Sequence, residues 1–345
     1  MSEARAKVVT FGELMLRLNP HGQQRIVQAD EFEVRYTGAE ANAAVMLAGL
    51  GFETFAVSRV PGHELGQACI NYLRRFGVNT DYVVRGGDHL GIMYLEAGAA
   101  QRGSRVIYDR DHTSFQEAVP AEFEWDRILS GADWFHFSGT APALGEQVRA
   151  VLREGLATAR SRGIRVSCDL NYRAKLWGRQ QVRTVMTDLM AYVDVLIGNE
   201  EDAEKVFGIT AEGSDVVHGE LLAASYEKVA SRLADAFGFK YVATTLRSSV
   251  SASVNGWAGM LFDGKRHFVS RSYEINPVVD RVGGGDSFSA GLIYGLLRGL
   301  EPQACVEFAA AASCLKHSIP GDFSLVSLLE VETLLAGDAS GRVQR

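Results

Sequence analysis

Apolar residues along the chain fall into two alternating patterns. Short runs dense in Val, Ile and Phe suit buried strands, and longer stretches with apolar residues three and four apart suit helices packed on one face. Lys7–Phe11 is expected as a buried first strand. Glu40–Leu50 follows as a helix stopped by Gly51, then Thr54–Val60 as a strand and Leu65–Phe76 as a helix stopped by Gly77. The rhythm resumes with the strand Trp134–Phe137, the helix Glu146–Arg162, the strands Arg165–Asp169 and Val195–Ile197, and the long helix Leu221–Phe237. Tyr241–Thr245 is a further strand, and Ser251–Ser270 has an antiparallel character. Helices Asp286–Arg298 and Pro302–His317 close the core. This alternation predicts an α/β fold, a mostly parallel sheet with helices on both faces.

Gly91–Arg110 breaks the rhythm. Ile92, Tyr94 and Glu96 alternate with Met93, Leu95 and Ala97, while Val106, Tyr108 and Arg110 share one face of a second strand beyond a Gly-containing turn. The pattern predicts a hairpin outside the main sheet, joined by Leu14–Leu18 and Phe32–Tyr36 into a small sheet that acts as a lid. Lid segments are therefore expected near 12–18, 32–37 and 91–110, within one domain spanning 1–345. The tail after Leu335, rich in Gly, Ser and charge, is expected to be loose.

At 345 residues and 47% hydrophobic content, the chain can bury a large core. Its net charge of −7, with both signs interspersed, argues against a nucleic-acid or anionic-membrane partner. A small anion held by two or three local arginines stays open. Met1–Lys7 is polar, no run approaches a membrane span, and the four cysteines show neither metal nor disulfide spacing. A cytoplasmic protein is expected.

The candidate chemistry lies in Val282-Gly283-Gly284-Gly285-Asp286-Ser287-Phe288, which leads into an apolar helix. Three glycines let successive N–H groups point into one concavity, and the helix start behind them adds positive potential, a setting suited to phosphate. Asp286 at the mouth of an anion site is a misplaced charge unless it acts as a base, as in phosphoryl transfer to a hydroxyl. No G-x-x-x-x-G-K-S/T loop is present, so phosphate handling falls to Gly283, Gly284 and Gly285. A tight turn with an acid in the first helical turn would explain the same residues without chemistry.

Two motifs separate these readings. Asp280–Gly291 resembles the second signature, D-T-x-G-A-G-D-x-F, of the ribokinase-like (PfkB-type) carbohydrate kinases, with Gly284 for the usual alanine. Thr37-Gly38-Ala39-Glu40-Ala41-Asn42-Ala43-Ala44 resembles the first signature, and the two stand in the family's order. The resemblance spans Val8 to Leu335 and implies a three-layer α/β/α core with a β-sheet lid. It also implies an ATP-dependent, magnesium-requiring kinase whose catalytic base is Asp286.

Gly12–Leu18, Asp169–Trp177 and Tyr108-Asp109-Arg110 are most similar to the 2-dehydro-3-deoxygluconate kinase branch. For a sugar acid, Arg110 and Arg173 would meet the carboxylate. The resemblance implies substrate contacts from Gly38, Ala39, Glu40, Asn42, Tyr94, Tyr108, Arg110, Arg173, Asp286 and Asp322. It places the nucleotide near Asn171, Arg173, Asn199, Leu246, Arg247, Ser249, Gly283 and Gly285. Asn199-Glu200-Glu201-Asp202 matches N-x-x-E with Asp202 one methylene short, and implies that Asn199 and Asp202 hold magnesium through water. An ion pair would equally explain Arg173, lid packing Tyr94 and a helix start the acids 200–202.

One segment departs from the family. Thr244–Ser251 carries Arg247 and Val250 where relatives have the glycines of T-L-G-x-x-G. That departure leaves open a catalytically weak binding protein of the same fold; a kinase of a neutral sugar such as fructose or ribose is a separate alternative to the sugar-acid kinase. The lid is also expected to pair with a second subunit.

Overall fold

The computed structural model describes residues 5–199, 201–210 and 219–337. Glu200 and the tail from 338 onward lie outside the described residues. In chain order the elements are β1 (Lys7–Phe11), β2 (Met15–Asn19), β3 (Glu33–Thr37), α1 (Ala39–Gly49), β4 (Glu53–Val60), α2 (Glu64–Arg75), β5 (Asn79–Arg85), β6 (Ile92–Glu96) and β7 (Arg105–Asp109). Then come α3 (Trp125–Ile128), β8 (Trp134–Ser138), α4 (Thr140–Ala143), α5 (Glu146–Ser161), β9 (Arg165–Asp169), α6 (Arg179–Met190), β10 (Val195–Asn199), α7 (Asp202–Phe207) and α8 (Gly219–Phe237). The chain continues through β11 (Tyr241–Ser249), β12 (Asn255–Phe262), β13 (His267–Val269), β14 (Tyr273–Ile275), α9 (Gly284–Leu297), α10 (Pro302–Lys316) and α11 (Leu328–Leu335).

The large sheet runs β13-β12-β11-β10-β9-β8-β1-β4-β5, with β14 also on β12. It is parallel from β5 to β11 and antiparallel beyond. Alternate residues of one strand enter different cores, as the period of two requires. Val9, Phe135, Val166 and Leu196 pack under α5, α6 and α8, whereas Val8, Trp134, Val195 and Ile197 pack against α1, α9 and α10. With both faces covered, strands read as unbroken apolar runs, which is why they were visible in the sequence.

The small sheet is β3-β2-β6-β7, built from the expected pieces. β2 and β6 pair in parallel, and the outer pairs are antiparallel. β5, α6 and α11 escape the periodicity reading, because each is short or largely solvent-facing. One boundary differs for a physical reason. The predicted strand Tyr241–Thr245 continues to Ser249, pairing Arg247 with Trp257 and Ser249 with Asn255. With no glycine at 247 nothing interrupts the ladder, so the segment expected as a nucleotide loop is strand through most of its length.

Candidate active site

The parallel strands β1, β8, β9, β10 and β11 all end on one side of the sheet, the edge where ligands of open α/β sheets collect. There a cavity of about 630 Å³ opens between the strand ends, the start of α9 and the lid. Gly283, Gly285 and Asp286 line it from the glycine turn. Gly283 has φ 83°, and a Cβ there would run into the Asp322 carbonyl oxygen, so glycine is obligatory on both counts. Gly284 is not part of the lining. A Cβ on it would come within 2.6 Å of the His317 ring, so its smallness serves packing rather than ligand approach. Gly38 likewise stays out of the lining, its missing Cβ leaving room for the Glu13 carbonyl, while its neighbours Thr37 and Ala39 face the cavity.

Asp286 is half-buried, accepts a 2.6 Å hydrogen bond from Asn42 Nδ2, and has no ion pair among the described residues. Burial pushes its carboxyl up to about 6, against the pull of Asn42, Arg173 and Lys316. Asp169, at the end of β9, is driven to about 8 by burial and by facing Asp286 and Asp202. Glu40, fully enclosed in α1, rises to about 7 through burial, although Ser138 donates to Oε1 from both N–H (2.9 Å) and Oγ (2.6 Å). These carboxylates crowd one cavity, and Arg173 is the cation whose field opposes two of them. Arg173 is exposed, lines the cavity and has no carboxylate at ion-pair distance among the described residues. Asn171 beside it takes φ 39°, a left-handed conformation Asn tolerates better than other non-glycine residues, and its N–H binds Asp169 Oδ1 at 3.1 Å.

Asn199 and Asp202 open α7 together at the end of β10. Asn199 Oδ1 accepts the Glu201 and Asp202 N–H groups at 2.8 and 3.1 Å, and Asp202 Oδ2 accepts the Asn199 N–H at 3.0 Å, a reciprocal cap of α7. Both also line the cavity. Arg110 and Tyr108 reach it from the lid. Arg110 is buried, pairs through Nε with Glu13, and has the Tyr108 ring 5.5 Å from its guanidinium. Among the described residues it is Arg110, and not Arg173, that carries an internal ion pair. Asp322 is buried at the cavity wall and held by Arg17 and Thr37.

Three further expectations are corrected besides Gly38 and Gly284. Tyr94 points to the opposite face of β6, its ring 6.2 Å from Phe32, because Met93 and Tyr108 pair on the inner face and the strand period of two turns Tyr94 outward. Leu246 packs into the core under the sheet, since in a strand its neighbours Thr245 and Arg247 take the cavity face. Ser249 lies at the end of β11, outside the lining. The sequence reading gave no role to Asp169, Glu13, Thr37, Thr140, Thr245 and Trp257, all of which line the cavity. Glu13, Thr37 and Asp169 stand inside the motifs Gly12–Leu18, Thr37–Ala44 and Asp169–Trp177, and that membership was the available signal for them.

Residues 5–322 match the model of the pfkB family carbohydrate kinases. A 2-dehydro-3-deoxygalactonokinase of Haloferax volcanii is 33% identical over 338 residues, covering 97% of this chain and 98% of that protein. A 2-dehydro-3-deoxygluconokinase of Bacillus subtilis is 28% identical over 321 residues, covering 91% and 90%. The crystal structure of a 2-dehydro-3-deoxygluconokinase from Thermotoga maritima matches with a TM-score of 0.92 and 50% identity, over 96% of this chain and 99% of that one.

Proposed function

The chain belongs to the pfkB family of carbohydrate kinases, and on that premise we propose that it transfers the γ-phosphoryl group of ATP to the terminal primary hydroxyl of 2-dehydro-3-deoxy-D-gluconate, forming the 6-phosphate. Membership makes it a phosphotransferase with an alcohol acceptor. The acid as acceptor is supported by two cavity arginines, Arg110 and Arg173, and by the relatives' names. The carrying observation is the Asp286 carboxylate, oriented by Asn42 at the cavity wall beside Gly283 and the start of α9.

In this reading Asp286 accepts the hydroxyl proton as the oxygen attacks the γ-phosphorus, and the bond from that phosphorus to the β,γ-bridging oxygen breaks to release ADP. Main-chain N–H groups of Gly283 and Gly285, the two glycines that line the cavity, receive the charge that develops on the transferred group. Asn171, Arg173, Asn199 and Arg247 take the nucleotide side. No cluster of three His, Cys, Asp or Glu side chains among the described residues forms a protein cage for a metal. Magnesium needs none, since it keeps most of its waters and takes phosphate oxygens. Asn199 and Asp202 at the cavity wall would hold it through water, and when bound it would neutralise phosphate charge. Closure of the lid excludes water as a competing acceptor.

The reading places the enzyme in the cytoplasm, where ATP is available, and no helix among the described residues is long and apolar enough to cross a membrane. It also takes the outer lid face, where Val34 and Ile107 are exposed, as the contact between subunits.

The test is a panel of sugars and sugar acids, including the galactonate epimer, with ATP and magnesium, read by ADP release and by the position of the product phosphate. Turnover on a hexose with none on any acid overturns the substrate. In the same assay, Arg110→Ala and Arg173→Ala are each expected to lower kcat/KM for the acid about 10–100-fold, the worth of a charged hydrogen bond, and to spare a neutral sugar by comparison. Equal losses on both would assign the acceptor to the neutral class.

A further inference from the structure

Arg17 lies on lid strand β2, 3% exposed, and is not itself part of the cavity wall. Its guanidinium spans two carboxylates from the far end of the chain. Nη1 binds Asp322 Oδ1, and Nη2 binds Asp280 Oδ2 at 2.7 Å. The other Asp322 oxygen takes the Thr37 hydroxyl, from the neighbouring lid strand β3. Asp280 in turn fastens two turns. Its Oδ1 accepts the Val282 N–H, its Oδ2 accepts the Gly321 N–H, both at 3.0 Å, and its carbonyl accepts Lys316 Nζ at 3.0 Å. The turns so joined carry Gly283 and Asp322, which touch each other.

Buried ion pairs of this kind add little net stability, because the desolvation of each charge offsets their attraction. What they set is geometry. A planar fork can meet two carboxylates at fixed angles, whereas an ammonium cannot. The two carboxylates held here adjoin the acceptor and phosphate sides of one cavity.

We propose that Arg17 is a positioning residue for phosphoryl transfer: it orients Asp322 toward the sugar hydroxyls and, through Asp280, holds the glycine turn, so the seating of the lid and the shape of the anion site are set together. The proposal rests on the sugar-acid kinase reading above.

The test compares wild type, Arg17→Lys and Asp280→Asn for kcat, KM of each substrate, melting temperature, and ATP hydrolysis without sugar. Arg17→Lys keeps the charge and loses the fork. It is expected to lower kcat and raise the sugar KM, each about tenfold, with the ratio of sugar-free hydrolysis to sugar phosphorylation rising as the lid seals less well. Asp280→Asn leaves the Arg17–Asp322 pair in place while weakening the hold on the Val282 and Gly321 turns, and is expected to lower kcat more than it raises the sugar KM. Arg17→Lys with kcat, KM and the hydrolysis ratio all within twofold of wild type, whatever its melting temperature, overturns the proposal. Should Arg17→Lys not fold, Asp280→Asn decides: a selective fall in kcat supports it, and an unchanged kcat overturns it. If wild type phosphorylates no sugar acid, the function fails instead, and the same ratios are read on the neutral sugar it does use.

Discussion

Asp286→Asn is expected to lower kcat by about 10²–10⁴, the usual worth of a general base, and to leave both KM values within a few fold. Asparagine has nearly the shape of aspartate and can still meet Asn42, so binding geometry survives while the proton acceptor is lost. The pH dependence gives the same residue a second signature. A base must be ionised to work, and burial holds the Asp286 carboxyl near 6. Wild-type kcat/KM is therefore expected to fall as pH drops through that value and to level off above it. Asp169 and Glu40 titrate in the same cavity, so the limb belongs to the coupled set, and the part that disappears in Asp286→Asn is the part Asp286 supplies. Rates from pH 5 to 9 check both statements, and near-normal turnover in Asp286→Asn would strip Asp286 of this role.

Gly283→Ala is expected to lower kcat/KM by about 10²-fold or more, because small displacements of a positioned group can cost that much. The methyl group faces two obstacles. The backbone at φ 83° is left-handed, which costs an L-residue about 1–2 kcal/mol. The new Cβ also meets the Asp322 carbonyl, so the turn and the Asp322 segment must separate. A melting temperature several degrees below wild type should accompany the loss. Gly285→Ala is the control: nothing lies within 4 Å of its Cβ position, and it sits in the first turn of α9. Alanine is the better helix former there, so the melting temperature should hold or rise. A matching destabilisation of both variants would contradict the assignment of strain to Gly283.

Much of the site was legible because its residues cluster in short motifs. Asn42 and Asp286 stand far apart in sequence, yet their family signatures predicted one site, and a 2.6 Å hydrogen bond joins them. Tyr94 and Leu246 were misplaced for one shared reason. Both lie on strands, where a neighbour one residue away faces the opposite side, and a motif names a segment without naming its face. Asp169, Glu13 and Thr37 went unassigned because their importance comes from what surrounds them. A carboxyl near 8 needs burial and two facing acids, and neither is visible from the residue's own neighbours in the chain.

The sequence by itself determined the strand and helix alternation, the separate lid pieces and the glycine-rich turn ahead of an acid that marks the family. All of these depend on local periodicity, on backbone freedom, or on residue types at short spacing. Only the tertiary structure decided which cations answer which acids: Arg110 to Glu13, Arg17 to Asp280 and Asp322, and Arg173 to the cavity itself. Charge pairing is settled by distance and dielectric in the folded state, and both arise only when remote segments close around one another.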